Sequence, residues 1–144
     1  MTNTVKAILD QKGRDVLTAA PDASVADVTK LLSDKRIGAV VITGVDNRIS
    51  GIFTERDVLN AVARAGSSCL ERPVAALMTT RVFTCSEKTT VNELMELMTR
   101  NRFRHVPVEI DGRLAGIVSI GDVVKARMAE VEMEAEHIKA YIAG

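Results

Sequence analysis

Two similar stretches of the chain have apolar residues spaced three or four apart, as one buried face of a helix requires. Each stretch opens with a hydroxyl residue followed three positions later by a carboxylate, Ser24 with Asp27 and Thr90 with Glu93. This is the pattern of a capping box at a helix N-terminus. We therefore predict two amphipathic helices. Their apolar faces consist of Val25, Val28, Leu31 and Leu32 in the first and Val91, Leu94, Met95 and Met98 in the second.

Each predicted helix is followed by two short apolar runs with Asp46-Asn47 or Asp111-Gly112 between them. Such pairs predict β-hairpins. A short strand opens each copy and a second helix closes it, with Val58, Leu59 and Val62 or Val123 and Val124 predicted to face inward. The order in each copy is β-α-β-β-α. The predicted strands are 16–18, 39–43 and 49–53 in the first copy and 82–84, 106–110 and 114–118 in the second.

This order occurs twice, so each unit is half of a shared core and any site is expected at the junction. A short helix is predicted before each copy, at 5–9 and at 74–78, and the Gly- and Ser-rich segment 65–68 is predicted to be a connecting loop. The predicted divisions are repeat 1 over 1–65, a connector over 66–73, repeat 2 over 74–128 and a helical extension over 129–144.

Composition limits the classes of function. The chain has 144 residues, 47% hydrophobic, which is enough for one compact domain with its own core. Its 19 basic and 19 acidic side chains cancel and aromatic residues are only 3%, so nucleic acid is not an expected partner. No apolar run is long enough to cross a bilayer and the first residues lack an export signal, so we expect a cytoplasmic protein without membrane contact.

The cysteines and histidines do not form a metal-binding pattern. Cys69 and Cys85 are far apart in the sequence and do not form a ligand cluster with His105 and His137. We expect two free thiols and no metal site.

Candidate chemistry lies where a strand turns into a helix. Thr54 with Asp57, and Ser119 with Asp122, put a hydroxyl and a carboxylate around the first turn. A helix start offers free amides that suit a phosphate, and an aspartate there can accept both hydroxyls of a ribose. The same spacing is also an ordinary helix cap. These residues alone leave both interpretations open.

The two motifs, Gly51-Ile52-Phe53-Thr54-Glu55-Arg56-Asp57 and Gly116-Ile117-Val118-Ser119-Ile120-Gly121-Asp122, carry a family resemblance. With the helix and strand before each, the chain resembles a tandem pair of cystathionine-β-synthase (CBS) domains, the Bateman module, and is similar to small stand-alone bacterial proteins of that family. The resemblance covers Val5 to Met128. It implies an α/β (α+β) fold in which two repeats pack sheet to sheet with pseudo-twofold symmetry.

The resemblance also implies two clefts that bind adenosine nucleotides, such as AMP, ADP, ATP or NAD(H). One cleft would hold ribose on Asp57 and phosphate near Thr54, with Arg104 and His105 reaching in from the other repeat. The second would use Asp122 in the same way.

In this second cleft Ser119 and Gly121 belong to the motif, and Arg56 would reach across from repeat 1. The first copy departs from the pattern, since Gly38 stands where Arg104 stands and Val41 where Pro107 stands. The Asp122 cleft is therefore expected to bind less phosphate or a different ligand.

Adenine would be held by the opening strands and the first hairpin strands. Each of these positions has an ordinary structural alternative. Ile37 and Phe103 are also typical core residues, and His105 is also typical of a strand histidine with a backbone partner. The implied positions are Thr18, Ala20, Ile37, Gly38 and Ala39 in the first copy and Thr84, Ser86 and Phe103 in the second.

The C-terminal segment predicts one long amphipathic helix. Its apolar stripe needs a cover, which is either its own domain or a second copy of the chain. We expect a homodimer to which this helix and residues 5–9 contribute. The stripe comprises Val124, Met128, Val131, Ala135, Ile138 and Ile142.

The function expected from these features is a non-catalytic regulatory module that binds an adenosine nucleotide and relays occupancy to a downstream protein that the sequence does not identify. An enzyme is disfavoured, because the sequence shows no paired carboxylates, no nucleophile beside a base and no metal cluster, and we expect no catalytic cofactor. A structural dimer with unused clefts stays open, since both motifs also fit plain helix caps.

Overall fold

The computed structural model describes residues 3–143, and its elements follow the predicted order except that repeat 2 has no opening strand. The outer limits of the predicted divisions, residues 1 and 144, lie outside this range. The helices are α1 (Val5–Lys12), α2 (Val25–Lys35), α3 (Glu55–Ala65), α4 (Val91–Asn101) and α5 (Ile120–Ala143). The strands are β1 (Thr18–Ala19), β2 (Ala39–Thr43), β3 (Ile49–Thr54), β4 (His105–Ile110) and β5 (Arg113–Ser119).

The predicted caps of α2 and α4 form through the hydroxyl alone. Ser24 Oγ accepts the Asp27 N–H at 3.1 Å, and Thr90 Oγ1 accepts the Glu93 N–H at 3.1 Å. Within the described residues neither carboxylate returns a bond to its cap, so these are single caps rather than full capping boxes. Each hydroxyl still satisfies one amide that the helix leaves without a partner.

The two hairpins belong to unequal sheets. In repeat 1, β1 runs parallel to β2 and β2 antiparallel to β3, whereas the sheet of repeat 2 has only β4 and β5. The strand predicted at 82–84 is therefore wrong, and a single bridge from Cys85 to Val108 remains. Val41 and Pro107 occupy equivalent positions in the two repeats. The Val41 N–H donates to the Leu17 carbonyl at 3.4 Å and so holds the opening strand, but Pro107 has no N–H to donate.

The core of each repeat is completed by the segment that precedes the other repeat. Val5 and Leu9 of α1 are fully buried against the core of repeat 2, while Val74 is fully buried in the core of repeat 1. A side chain at Gly116 would place Cβ 2.9 Å from Leu9 Cδ2, so only glycine admits this contact. The fold class, with two hairpin-and-helix repeats, agrees with the prediction.

Two predicted segments differ in local structure. The helix predicted at 74–78 is only a 3₁₀ turn, Val74–Ala76, and the chain then bridges to β3, where Ile52 and Thr79 exchange backbone bonds of 2.9 Å. The loop predicted at 65–68 is instead the start of a 3₁₀ helix, Gly66–Glu71.

The helices that close the repeats expose apolar residues predicted to face inward. Leu59 is 70% exposed, Val62 44% and Val124 44%, whereas Val58 is half-buried and Val123 is buried. The predictions for Leu59, Val62 and Val124 are therefore wrong. None of the three belongs to either core, and Leu59 instead lines the cavity between the two repeats.

Helix α5 extends well beyond the body of the domain. Every residue from 131 to 143 is exposed, so its apolar stripe does not pack back on its own chain. The N-terminal part is held by Glu130, whose carboxylate accepts the Asn3 N–H at 2.9 Å and pairs with Arg127 at 2.9 Å. No helix within residues 3–143 has the length and apolar character needed to cross a bilayer.

Candidate functional site

A cavity of about 460 Å³, here called the Asp57 cleft, lies between the two repeats. The start of α3 supplies Thr54 and Asp57 to its wall. Repeat 2 supplies Phe103, Arg104 and His105 from the loop before β4 and the start of that strand. The structure thus brings together side chains from both repeats that the sequence analysis placed in one cleft.

Thr54 and Asp57 form a complete capping box. The Thr54 N–H donates to Asp57 Oδ2 at 2.9 Å, and the Asp57 N–H donates to Thr54 Oγ1 at 3.3 Å. Thr54 and Asp57 therefore cap α3 in the structure, but the cap uses only Oδ2 of the Asp57 carboxylate. Among the described residues Asp57 Oδ1 accepts only the Thr79 hydroxyl, at 3.1 Å, and this bond can be exchanged for one from a ligand hydroxyl.

Guanidinium groups dominate the charge of the Asp57 cleft. Arg56, Arg81, Arg102 and Arg104 line it, against the carboxylates of Glu55 and Asp57. Arginine forks match phosphate oxygens, so the excess of positive charge suits a phosphate-bearing ligand.

The sequence analysis missed Arg81 and Arg102. Arg102 adopts the left-handed conformation that ends α4, with φ of 58°, as Arg36 does after α2 with φ of 52°. This repeated helix-ending arginine is a signal in the sequence that could have identified Arg102.

An aromatic pair forms part of the same wall. The rings of Phe83 and Phe103 lie 4.9 Å apart between centroids, and Ile52 and Val82 extend the apolar surface. Phe103 is half-buried rather than part of the core. An apolar wall facing a cationic one suits a ligand that combines a flat base with a phosphate.

A second cavity of about 380 Å³, here called the Asp122 cleft, is related to the first by the internal repeat. Ser119 and Asp122 form the same reciprocal pair: the Ser119 N–H donates to Asp122 Oδ2 at 2.9 Å and the Asp122 N–H to Ser119 Oγ at 3.1 Å. The carboxylate is also held by Lys12, whose Nζ donates to Asp122 Oδ2 at 2.7 Å and to the Ile117 carbonyl at 2.9 Å. Among the described residues Lys12, and not Asp122, lines this cavity.

The Lys12 ammonium also sets the electrostatics of Asp122. Burial by itself raises the pKa of this carboxyl, but the hydrogen bonds from Lys12 and the Ser119 amide outweigh it and hold the pKa below its ordinary value. Asp122 is therefore ionised and already paired with a cation.

His105 and Gly38 separate the two clefts, since both residues line both cavities. The imidazole lies directly on the glycine, because a Cβ at Gly38 would come 2.7 Å from His105 Cε1. Burial lowers the pKa of His105, with Glu55 and Asp122 acting in the opposite direction. A neutral ring packed on bare backbone is thus the wall between the sites.

Arg56 is not where the sequence analysis placed it. It lines the Asp57 cleft, next to its own motif, and within the described residues it is absent from the wall of the Asp122 cleft. The prediction that Arg56 serves the Asp122 cleft is therefore wrong. The physical reason is that Arg56 lies in the first turn of α3, whose start faces the first cavity.

Only some of the residues that the resemblance implies as adenine contacts line the clefts. Ile37, Gly38 and Ala39 line the Asp122 cleft, and Ile37 is half-buried rather than core. Four other residues implied to contact adenine line neither cavity within the described residues, because each opening segment meets the cleft about two positions earlier, at 16–17 and 82–83. These four are Thr18, Ala20, Thr84 and Ser86. Two of them have other partners, since the Thr84 hydroxyl donates to Glu109 and Ser86 Oγ accepts the Lys88 N–H. Gly121 of the second motif, in the first turn of α5, also lines neither cavity.

The cysteines lie outside both clefts. Cys69 and Cys85 are buried and free, and burial raises the pKa of the Cys85 thiol to about 12. A thiol in that state is a packing group rather than a nucleophile. Within residues 3–143 no three His, Cys, Asp or Glu side chains converge as metal ligands.

Known proteins that are similar to this chain contain CBS domains. The family profile of the CBS domain matches residues 5–64 and 74–129. The mitochondrial CBS domain-containing protein CBSX3 of Arabidopsis thaliana is 35% identical over 99% of this chain and 73% of its own length.

Two solved structures extend the comparison. A CBS-domain containing protein from Agrobacterium tumefaciens is 54% identical, with a TM-score of 0.84 over 88% of this chain and 95% of that one. A CBS domain protein from Pyrobaculum aerophilum, solved in complex with AMP, is 29% identical, with a TM-score of 0.73 over 83% of this chain and 88% of its own.

Proposed function

The chain belongs to the CBS-domain family, and we propose that it is a non-catalytic regulatory module that binds an adenosine nucleotide in the Asp57 cleft. The observation that carries the proposal is the composition of that cleft. One carboxylate with an exchangeable hydrogen bond faces four arginines and an aromatic wall, all in one cavity.

Each part of a nucleotide has a matching part of the wall. The ribose hydroxyls would donate to Asp57, replacing the bond from Thr79. The phosphate would meet the Thr54 hydroxyl and the guanidinium of Arg104, with the amides at the start of α3 adding their partial positive charge. The base would lie against the apolar wall that includes Phe103.

The relative that was solved with AMP supports a ligand of this class. AMP, ADP, ATP and NAD(H) all combine an adenosine with phosphate and fit the same argument. Binding would act on a downstream protein only through a difference in affinity for two shapes of the module.

We also propose that the module works as a homodimer. Helix α5 exposes the apolar stripe predicted from the sequence, with Met128 and Ile138 each 59% exposed and Ile142 78%. Val62 of α3 adds to the exposed apolar surface, and a twin copy would cover such a face. Two buried free thiols suit a reducing compartment, so we place the protein in the cytoplasm.

We also propose that repeat 1 ends at residue 65, the connector at residue 73 and repeat 2 at residue 128.

One competing function has a specific observation in its favour. Both candidate aspartates are satisfied as helix caps without any ligand, as a purely structural dimer would require.

Isothermal titration calorimetry separates the two functions with a panel of adenosine, AMP, ADP, ATP, NAD(H) and S-adenosylmethionine. We expect AMP or another phosphate-bearing nucleotide to bind without being converted, and the protein to sediment as a dimer. Heats of dilution alone would support the scaffold, and turnover of a bound nucleotide would support an enzyme.

A further inference from the structure

The two aspartate motifs are alike in sequence, but among the described residues Asp57 lines its cavity and Asp122 does not. We propose that Lys12 is a built-in occupant of the Asp122 cleft, which covers the carboxylate that a ribose would need, so that the chain binds one nucleotide rather than two. This inference rests on the proposed function of the Asp57 cleft.

The contacts of Lys12 match those expected of a bound ligand group. Its ammonium donates to the Asp122 carboxylate at 2.7 Å and to the Ile117 carbonyl at 2.9 Å. Asp122 Oδ2 also accepts the Ser119 amide, and the ammonium stands between this carboxylate and the cavity, because Lys12 and not Asp122 lines it among the described residues. The Lys12 side chain is 34% exposed and that of Asp122 23%, which places the pair at the cavity surface rather than in bulk solvent.

Pseudo-symmetry shows that the arrangement is specific to one cleft. At the spacing of 66 residues that relates 16–17 to 82–83, Asp15 is the counterpart of Arg81, so Lys12 and Arg81 are compared only as the cations that the segments before the repeats bring to the clefts. Both cations line the cavity of the other repeat's motif. Among the described residues Lys12 forms an ion pair with the motif aspartate and Arg81 forms none with Asp57.

The backbone conformation of the segment before each repeat explains why Lys12 forms an ion pair with the motif aspartate and Arg81 does not. Helix α1 continues through Lys12, packed on β5 by Leu9, and so projects the lysine onto the end of that strand beside Asp122. The corresponding segment of repeat 2 stops being helical at Ala76 and bridges to β3 through Thr79. As a result the Thr79 hydroxyl, and not Arg81, contacts the carboxylate of Asp57.

A nucleotide that entered the Asp122 cleft would have to displace this ammonium. The ammonium makes two charge-assisted bonds, one of them to a carboxylate, and it is attached to a folded helix, so it is always present at high local concentration. We expect displacement to weaken binding by roughly tenfold or more relative to an open cleft.

Calorimetry with AMP and with ATP on four proteins tests the inference: the native chain, Lys12→Met, Asp57→Ala and the double variant. Methionine keeps the apolar length of lysine and removes the charge. We expect one nucleotide per chain for the native protein, two for Lys12→Met, only weakened binding for Asp57→Ala and one tightly bound nucleotide for the double variant. Lys6→Met, on the same helix but in an exposed pair with Asp10, is the control and should leave the count at one.

Other outcomes would overturn the inference. Two nucleotides per native chain would show that Lys12 does not close the cleft. A single site that persists unchanged in Lys12→Met would show that the cleft is closed for another reason, while the proposed function would stand. If neither the native chain nor Lys12→Met bound any nucleotide, both the proposed function and this inference would fail.

Discussion

The Asp57 and Asp122 clefts are built from the same motif and yet present opposite chemistry. In the first, a carboxylate without an ion pair among residues 3–143 faces four guanidinium groups across a cavity. In the second, the carboxylate is already neutralised by Lys12, and glycine stands where the first cleft has Arg104. The comparison teaches that a duplicated binding motif need not give two equal sites. The residues outside the motif decide what each copy can bind.

The largest effect should come from exchanging the two aspartates for alanine one at a time. Asp57→Ala should weaken AMP binding by roughly 10- to 150-fold, because hydrogen bonds to a charged group are lost. Asp122→Ala should leave AMP affinity nearly unchanged. Each variant removes one capping carboxylate, and Asp122→Ala also removes the ion pair with Lys12, so the melting temperature of both variants is measured beside their affinity. Equal losses of affinity in calorimetry would contradict the distinction between the clefts.

A smaller effect should follow from Arg104→Ala. We expect AMP affinity to fall by about tenfold while adenosine affinity changes little, because the proposed role of the guanidinium is to bind phosphate and not the sugar or base. Titration of both ligands measures this ratio. Arg64→Ala, in the last turn of α3 and outside the lining of the Asp57 cleft, is the control. Equal losses for AMP and adenosine would remove Arg104 from the phosphate site.

The smallest effect should be a pH dependence from the wall between the clefts. Because the folded protein lowers the pKa of His105 below its ordinary 6.5, the neutral ring stabilises the fold above that pH. This contribution is lost as the pH falls below 6.5 and through the lowered pKa. Thermal melts between neutral and mildly acidic pH should show a smaller decrease in Tm for His105→Gln than for the native chain. His137→Gln, at an exposed position of α5, should melt like the native chain throughout.

Much of the fold follows from local patterns in the sequence. The spacing of Val25 and Val28, the caps at Ser24 and Thr90, and the turn at Asp111-Gly112 each depend on residues close together in the chain. These features were predicted correctly because propensity, capping and turn chemistry act over a few residues.

The errors arise where distant segments meet. Lys12 and Asp122 are 110 residues apart, and no local pattern connects them. The absence of a strand at 82–84 depends on Pro107 in another strand, and the side of the junction on which Arg56 lies depends on how α3 is oriented. Such contacts are decided by the packing of whole elements and leave no periodic signal.

The crossed packing of the two cores has a consequence for how the chain reaches its native state. Val5, Ile8 and Leu9 find their neighbours only after residues 91–123 have been synthesised, and Val74 completes a core that began at Val25. A repeat cut out at the connector would lack part of its own interior. The native arrangement therefore forms from both halves together, and the high sequence separation of these contacts favours slow, cooperative folding over stepwise assembly from independent halves.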